Sequence, residues 1–479
     1  MLGSAVLVVV LTAVRAGVFW RSEAYLDDAS GNWTALAKDF ASGVLYRPLQ
    51  GPAGYGGSRY FPLHFVLHAG LMRFMDPVSS GFLLSAAALA LLAGGVYLLV
   101  RRLGGSVILA ASCGAFALVA HPSQEALLTI KGDGLAAALN VWGVALVAGG
   151  AAGAAPLLAA AACFTLAFAA KITAVSGVAA AVLWFWTTGR RRPAVALALA
   201  TAGGMALVLA FIAIGSHGVA INVLGASASG GATVSDILQA PFTLARQARR
   251  VPETLVFIQL GCAALLVLLF QPRPHTNLAA IFFVCVLAVT TVIFASPGTD
   301  TNHFLDLHAA SIVLVAAWLV TRGLPAVDVG AAALVVAALA ASLSLVSGLV
   351  HARTEQKRGV IADALRLIPD KTKPILAQNP LVPVEAGQRA YLIDPFLIRV
   401  ITERQPALAE PLWADFRRQR FGAVVLELDP SSDRAQTLYR TALLGERFLD
   451  EMNRYYEPAG HVGTRTIFLP RPEPAGARP

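Results

Sequence analysis

Eleven apolar stretches of membrane-crossing length divide the first 350 residues, and this recurrence limits the fold more than any other feature. They lie at about 2–20, 78–100, 104–120, 134–150, 153–170, 172–188, 195–215, 254–271, 277–295, 304–321 and 329–350. A helix needs about 17–25 apolar residues to cross the hydrocarbon core of a bilayer. The run 153–188 reads as two helices, because its 36 residues in one piece would reach about 54 Å. The 479-residue chain is 57% hydrophobic and only 14% charged, against roughly 25% charged in soluble domains. It reads as an α-helical polytopic membrane protein.

Charge then orients the spans. The formal net charge is +9, which in a membrane chain points to anionic lipid and cytoplasmic loops rather than to nucleic acid. Arg101, Arg102, Arg190, Arg191, Arg192, Arg273 and Arg322 fall in alternate short loops, which places those loops inside and the N-terminus with them. Arg246, Arg249 and Arg250 fall on the other side, in a longer loop where the rule is weaker. The first stretch lacks a basic flank and reads as a retained anchor. All four cysteines lie in apolar stretches and read as small hydrophobes, not as a disulfide framework.

An odd number of spans puts the first loop (21–77) and the tail (351–479) together on the outer side. Within that loop, "RYFPLHFVLHAGLMRFM" (59–75) is apolar but short, and reads as a helix lying in the interface. His64 and His68 share one helix face there, and without a third ligand they read as interfacial anchors. The tail changes character: "KPILAQ", "RAYLID", "FGAVVLEL" and "TRTIFLP" are strand-like, and "PLWADFRRQR" has helical spacing. It reads as a small α/β domain, in which Tyr391, Asp394 and Phe396 serve packing.

The ionisable residues are the chemical signal. Asp27, Asp28, Lys131, Asp133, Lys171, His303 and Asp306 all fall at the outer ends of spans, with Arg59 and Asn302 close by. Intramembrane or boundary charges are costly and default to function. Far apart in sequence, these converge on one level of the membrane, which predicts an outer cavity with acidic and basic walls.

The segment that carries the acidic pair, "YLDDASGNWTALAKDFASGVLY" (25–46), resembles the first outer loop of the GT-C superfamily of polyprenyl-phosphate-sugar glycosyltransferases. The resemblance is to the protein O-mannosyltransferase and aminoarabinose-transferase branch, similar to glycosyltransferase family 39. There an acidic pair follows the first helix, then a helix ending in "SG", then an aromatic-Pro motif. Asp28 lies fifteen residues before Gly43, and "RYFPLHFVL" supplies the last element. The family pair is usually Asp-Glu, whereas Ala29 follows Asp28 here, which leaves open which aspartate acts. "TIKGDGLAAAL" resembles the acidic start of the fourth helix (Asp133), "LAFAAKITA" the lysine-bearing end of the fifth (Lys171), and "GTDTNHFLDLHAASIVL" the late outer strip.

The resemblance implies a GT-C-like membrane domain over 1–350 and an extracytoplasmic α/β domain over 351–479. It implies transfer of a sugar from a polyprenyl-phosphate donor to a lipid, glycan or protein hydroxyl in the cell envelope. Asp28 would be the base with Asp27 beside it, and Lys171, Arg59, His303, Lys131, Asp133 and Asn302 would bind substrate or phosphate. No motif demands a metal or other cofactor, and a divalent cation is left open. Each residue has a structural alternative: Asp28 or Asp133 could cap the helix it begins, and the lysines could snorkel to headgroups. The rival functions are a polyisoprenoid-linked sugar flippase and a noncatalytic envelope scaffold. Replacing both aspartates would silence an enzyme and leave a scaffold intact.

Overall fold

A computed structural model describes residues 1–21, 25–149, 153–216, 233–270, 277–296, 299–321, 324–354 and 360–472. The loop arginines Arg273 and Arg322 lie outside these residues. Among the described residues, fifteen α-helices precede the tail: α1 (Leu2–Phe19), α2 (Asp28–Ala41), α3 (Pro62–Leu71), α4 (Pro77–Arg102), α5 (Val107–Phe116), α6 (His121–Leu128), α7 (Asp133–Ala148), α8 (Ala154–Ala170), α9 (Ser176–Thr187), α10 (Arg191–Gly215), α11 (Val234–Ala248), α12 (Pro252–Leu269), α13 (Leu278–Ile293), α14 (Leu305–Val320) and α15 (Leu324–Thr354). Among the described residues, six helices are long and apolar enough to cross a membrane, or seven if the pair α5 and α6, bent by 66°, forms one span. The four shorter apolar helices α7, α8, α9 and α13 occupy the remaining stretches read from the sequence. Eleven crossings would require all four of these to cross as well. The protein is a multi-pass membrane protein.

The helices begin where their sequences provide caps. The Asp76 and Ser106 side chains accept the backbone N–H groups of Ser79 and Leu109 at the starts of α4 and α5, and Pro77 occupies the first turn of α4, where its missing N–H is not needed. The abundant small residues let the helices approach closely, as membrane bundles require. A Cβ on Gly143 of α7 would meet the Phe164 ring of α8 at 2.3 Å. Helix α14 lies at the centre of the bundle, with 78% of its apolar window buried, whereas α10 has 17% buried. The outward Leu207 and Ile214 of α10 are 73% and 76% exposed, the pattern of a helix that faces lipid.

The tail carries a four-stranded sheet in the order β1-β2-β4-β3, from β1 (Ile375–Ala377), β2 (Ala423–Leu426), β3 (Tyr456–Val462) and β4 (Arg465–Pro470). β1 runs parallel to β2, and the other two pairs are antiparallel. Three of the four strand-like runs in the sequence become strands. "RAYLID" does not, because its backbone pairs with the first loop instead: Tyr55 N–H donates to Tyr391 O at 2.7 Å and Ile393 N–H donates to Tyr55 O at 3.1 Å. β3 was missed; Pro458 and Gly460, where its register with β4 shifts, hide the alternation.

The first loop and the tail are thus one packed unit. Asn379 donates to Leu26 O, Lys38 to Val384 O, and Arg47 to Ala390 O, at 3.1, 3.1 and 2.7 Å. Gly31 of α2 lies so close to Asn379 that a Cβ would stand 2.2 Å from its side-chain oxygen. The helix of the aromatic-Pro motif is α3, and the interfacial reading of its histidines is corrected. His64 and His68 are fully buried, His64 edge-on to Trp33 and His68 bonded to Pro77 O at 2.8 Å.

Candidate active site

Two charged clusters sit at the end of the bundle that carries the first loop, joined by the three-residue strip Lys131-Gly132-Asp133. In the first, the Lys131 ammonium lies 2.7 Å from Asp27 and 2.7 Å from Glu125. In the second, Lys171 lies 2.5 Å from Asp133 and 3.0 Å from His303 Nδ1, and Asn302 donates to Asp133 at 3.1 Å. The strip passes close to α2 and the end of α8: a Cβ on Gly132 would meet Trp33 at 3.0 Å and Ala170 O at 3.2 Å. Lys171 takes extended backbone angles (φ −154°, ψ 119°) where α8 ends, which turns its side chain away from the helix axis toward Asp133.

The two neighbouring aspartates have separate tasks. Asp27 caps α2, accepting Ser30 N–H at 2.9 Å and the Ser30 hydroxyl at 2.8 Å. Asp28 caps nothing. Its carboxylate accepts the Gln378 side-chain N–H at 2.6 Å, from the residue that follows β1. Burial, with the nearby Glu427 carboxylate next in size, pushes the Asp28 pKa up to about 7. Gln378 is itself fixed: its oxygen accepts Tyr439 OH at 2.8 Å and Glu427 N–H at 2.9 Å.

A cavity of about 430 Å³ opens beside Asp27, lined from the bundle by Arg15, Tyr25, Glu125 and Thr301 and from the tail by Glu427 and Arg465. Arg59, read from the sequence as a phosphate ligand, is not among the residues that line this cavity. It pairs with Asp394 at 3.5 Å and lies over the Phe396 ring at 4.6 Å, bracing the first loop against the tail. It is still within electrostatic reach of His303. Asp306 is held by Asn140 at 3.4 Å, deeper in the bundle.

Of the residues singled out in the sequence, Asp133, Lys171, His303 and Asn302 meet in one cluster, Asp27 and Lys131 in the other, and Asp28 faces the tail. Sequence reasoning missed Glu125, Gln378, Glu427 and Arg15. Glu125 stood in the polar strip six residues before Lys131. Gln378 carried no local signal, because its task is set by a partner 350 residues away.

This architecture is that of the GT-C fold. It is similar to particular solved proteins at low sequence identity. One is ArnT from Cupriavidus metallidurans bound to undecaprenyl phosphate, at 14% identity and TM-score 0.54, covering 96% of this chain and 97% of that one. Another is the archaeal oligosaccharyltransferase AglB from Archaeoglobus fulgidus in complex with an inhibitory peptide and a dolichol-phosphate, at 12% identity and TM-score 0.57, covering 97% and 74%. The Archaeoglobus fulgidus enzyme was also solved in complex with Zn and sulfate, matching at 14% identity and TM-score 0.54 over 96% and 73%. No family model matches the sequence, and no curated protein matches it.

The zinc in that neighbour raises the question of a metal here, and the residues present do not fit one. A catalytic Zn²⁺ takes about three protein ligands, and hard divalent cations fill about six or more positions with oxygens that include water. Among the described residues, no group of three His, Cys, Asp or Glu side chains is placed to hold an ion. The cavity carboxylates Asp27 and Glu125 are both engaged by Lys131, and Asp133 is engaged by Lys171.

Proposed function

We propose that this chain is an integral-membrane glycosyltransferase that moves a sugar from a polyprenyl-phosphate donor to an acceptor hydroxyl, with inversion at the anomeric carbon. The observation that carries the reading is the setting of Asp28. It is a carboxylate free of capping duty, with a pKa of about 7, whose neighbours Asp27 and Glu427 line the polar cavity. A general base works best when its pKa lies near the working pH.

In the proposed step the acceptor O–H gives its proton to Asp28 as its oxygen attacks the anomeric carbon. The bond from that carbon to the phosphate oxygen breaks, and the lipid phosphate departs with the electron pair. Lys171 would meet the charge that develops there, with His303 and Asn302 setting its position through direct contact and through Asp133. Preorganised cations in a low-dielectric site stabilise such charge more than water does. Two neighbours whose structures hold undecaprenyl phosphate and dolichol-phosphate support the donor class. The division into a membrane domain (1–350) and a tail domain (351–479), and an outer-face active site, belong to the same proposal.

The test is lipid analysis of a deletion strain joined to transfer by the purified protein. Loss of one glycoconjugate with accumulation of a polyprenyl-phosphate sugar, and transfer in vitro from that lipid, are expected. Accumulation of the lipid on the cytoplasmic side with no transfer activity would point to a flippase.

A further inference from the structure

Both oxygens of Asp27 and of Glu125, two of the carboxylates that line the cavity, already have partners. Asp27 Oδ1 accepts the Ser30 N–H and hydroxyl at 2.9 and 2.8 Å, and Oδ2 meets Lys131 at 2.7 Å. Glu125 Oε1 meets Lys131 at 2.7 Å, and Oε2 faces the Thr301 hydroxyl at 3.4 Å and His121 at 3.8 Å. The shared Lys131 side chain is 8% exposed. Asp27 precedes α2 and Glu125 lies in α6, so one ammonium joins these two elements, beside the hydrogen bond from Ile130 N–H to the Ser30 hydroxyl at 3.2 Å.

That is the position a divalent cation would need. A metal ion binds carboxylate oxygens at about 2.0–2.6 Å, so it would overlap an ammonium nitrogen held at 2.7 Å from both. We infer that Lys131 serves as a built-in cation: it bridges Asp27 and Glu125 in place of a bound divalent metal, so the site is assembled and works without one. The two neighbouring carboxylates also hold the Lys131 pKa above its ordinary value against the opposing cost of burial. The bridge therefore stays charged over the whole working range of pH. Unlike a metal, such a bridge cannot be stripped, exchanged or limited by supply. The inference uses the transferase reading only in its activity arm; its binding arm stands on the residues alone.

The experiment uses the full-length protein in lipid nanodiscs, stripped with EDTA and titrated with Mn²⁺, with bound ion read by electron paramagnetic resonance and stability by thermal unfolding. Wild type and Lys131→Arg should show no saturable Mn²⁺ binding and no rise in Tm, and EDTA should leave wild-type transfer unchanged. Lys131→Asp, which puts a third carboxylate beside Asp27 and Glu125, should gain saturable Mn²⁺ binding and a Mn²⁺-dependent rise in Tm. Stoichiometric Mn²⁺ binding by wild type, or activity lost to EDTA and restored by Mn²⁺, would overturn the inference. So would a folded Lys131→Asp protein that gains no binding. If that variant does not fold, the wild-type titration decides alone. Absence of any transfer from polyprenyl-phosphate sugars would sink the functional reading and leave the binding result standing.

Discussion

The carboxylate of Asp28 and the side-chain amide of Gln378 meet at 2.6 Å, although 350 residues separate them in the chain. The bond ties the proposed base to the tail, and it favours the charged form of a group whose burial favours the neutral one. Gln378 is therefore a positioning residue for Asp28.

Gln378→Leu removes that N–H. Hydrogen bonds to charged groups contribute about 1.5–3 kcal/mol, so the rising limb of the pH–rate profile should move up by about one to two pH units. Activity should fall at pH 7 and recover in alkali. The groups facing Asp28 include Glu427, Asp27 and Asp394, all of which remain in the variant. Loss of the same fraction of activity at every pH would mean that Gln378 only holds the fold.

Asp28→Asn should insert normally and lose about 10²–10⁴ in transfer rate, the usual contribution of a general base. Its stability should move the other way. Below the ordinary carboxylate pKa of 3.8 both the folded and unfolded states hold the proton, and the variant should match wild type. As pH rises from there to about 7, the folded state keeps a proton that the unfolded state has lost, so wild type loses stability and Asn does not. Thermal unfolding at pH 8 should thus show the Asn variant at least as stable as wild type. A variant that is active and less stable at pH 8 would return Asp28 to a structural role.

Asp27→Ala tests the opposite assignment. Asp27 caps α2 and binds Lys131, and a lost cap costs about 0.5–2 kcal/mol. Unfolding should therefore shift in Asp27→Ala at every pH from 6 upward, where Asp28→Asn does not shift downward. Equal stability of Asp27→Ala and wild type would remove the capping assignment.

Lys171→Met leaves Asp133 without its ammonium in a poorly solvated place, since the two side chains are 19% and 12% exposed. Breaking such a pair costs about 3–5 kcal/mol. Adding Asp133→Asn should recover much of that stability without recovering transfer. If the double variant regains both, Lys171 is structural and binds no phosphate.

Reporter fusions at residues 45 and 400 should fall in the same compartment, because the first loop and the tail form one packed unit. Opposite compartments would contradict that packing.

The membrane part was legible as a set of apolar helices, although α7, α8, α9 and α13 fall short of the length that marks a span. The cluster of Asp133, Lys171, His303 and Asn302 was legible too, since all four sit where a span begins or ends. What lay beyond the sequence was set by distant partners. The pairing of Arg59 with Asp394 and Phe396 had no local sign, and "RAYLID" looked like a sheet strand until Tyr55 paired with it. Asp27 and Asp28 are adjacent and chemically identical, and only the contacts of Ser30 and Gln378 tell them apart.

The seam between α2 and the tail also sets the order in which the site comes into being. Asp28 leaves the ribosome among the first residues, and Gln378 follows 350 residues later. At roughly 5–20 residues per second, the acid waits about 20–70 s for its partner. Until the tail docks against Gly31, the growing chain lacks the contact that Gln378 makes with Asp28. On the proposed mechanism, a half-made copy would hold no tuned base and would be inert by construction.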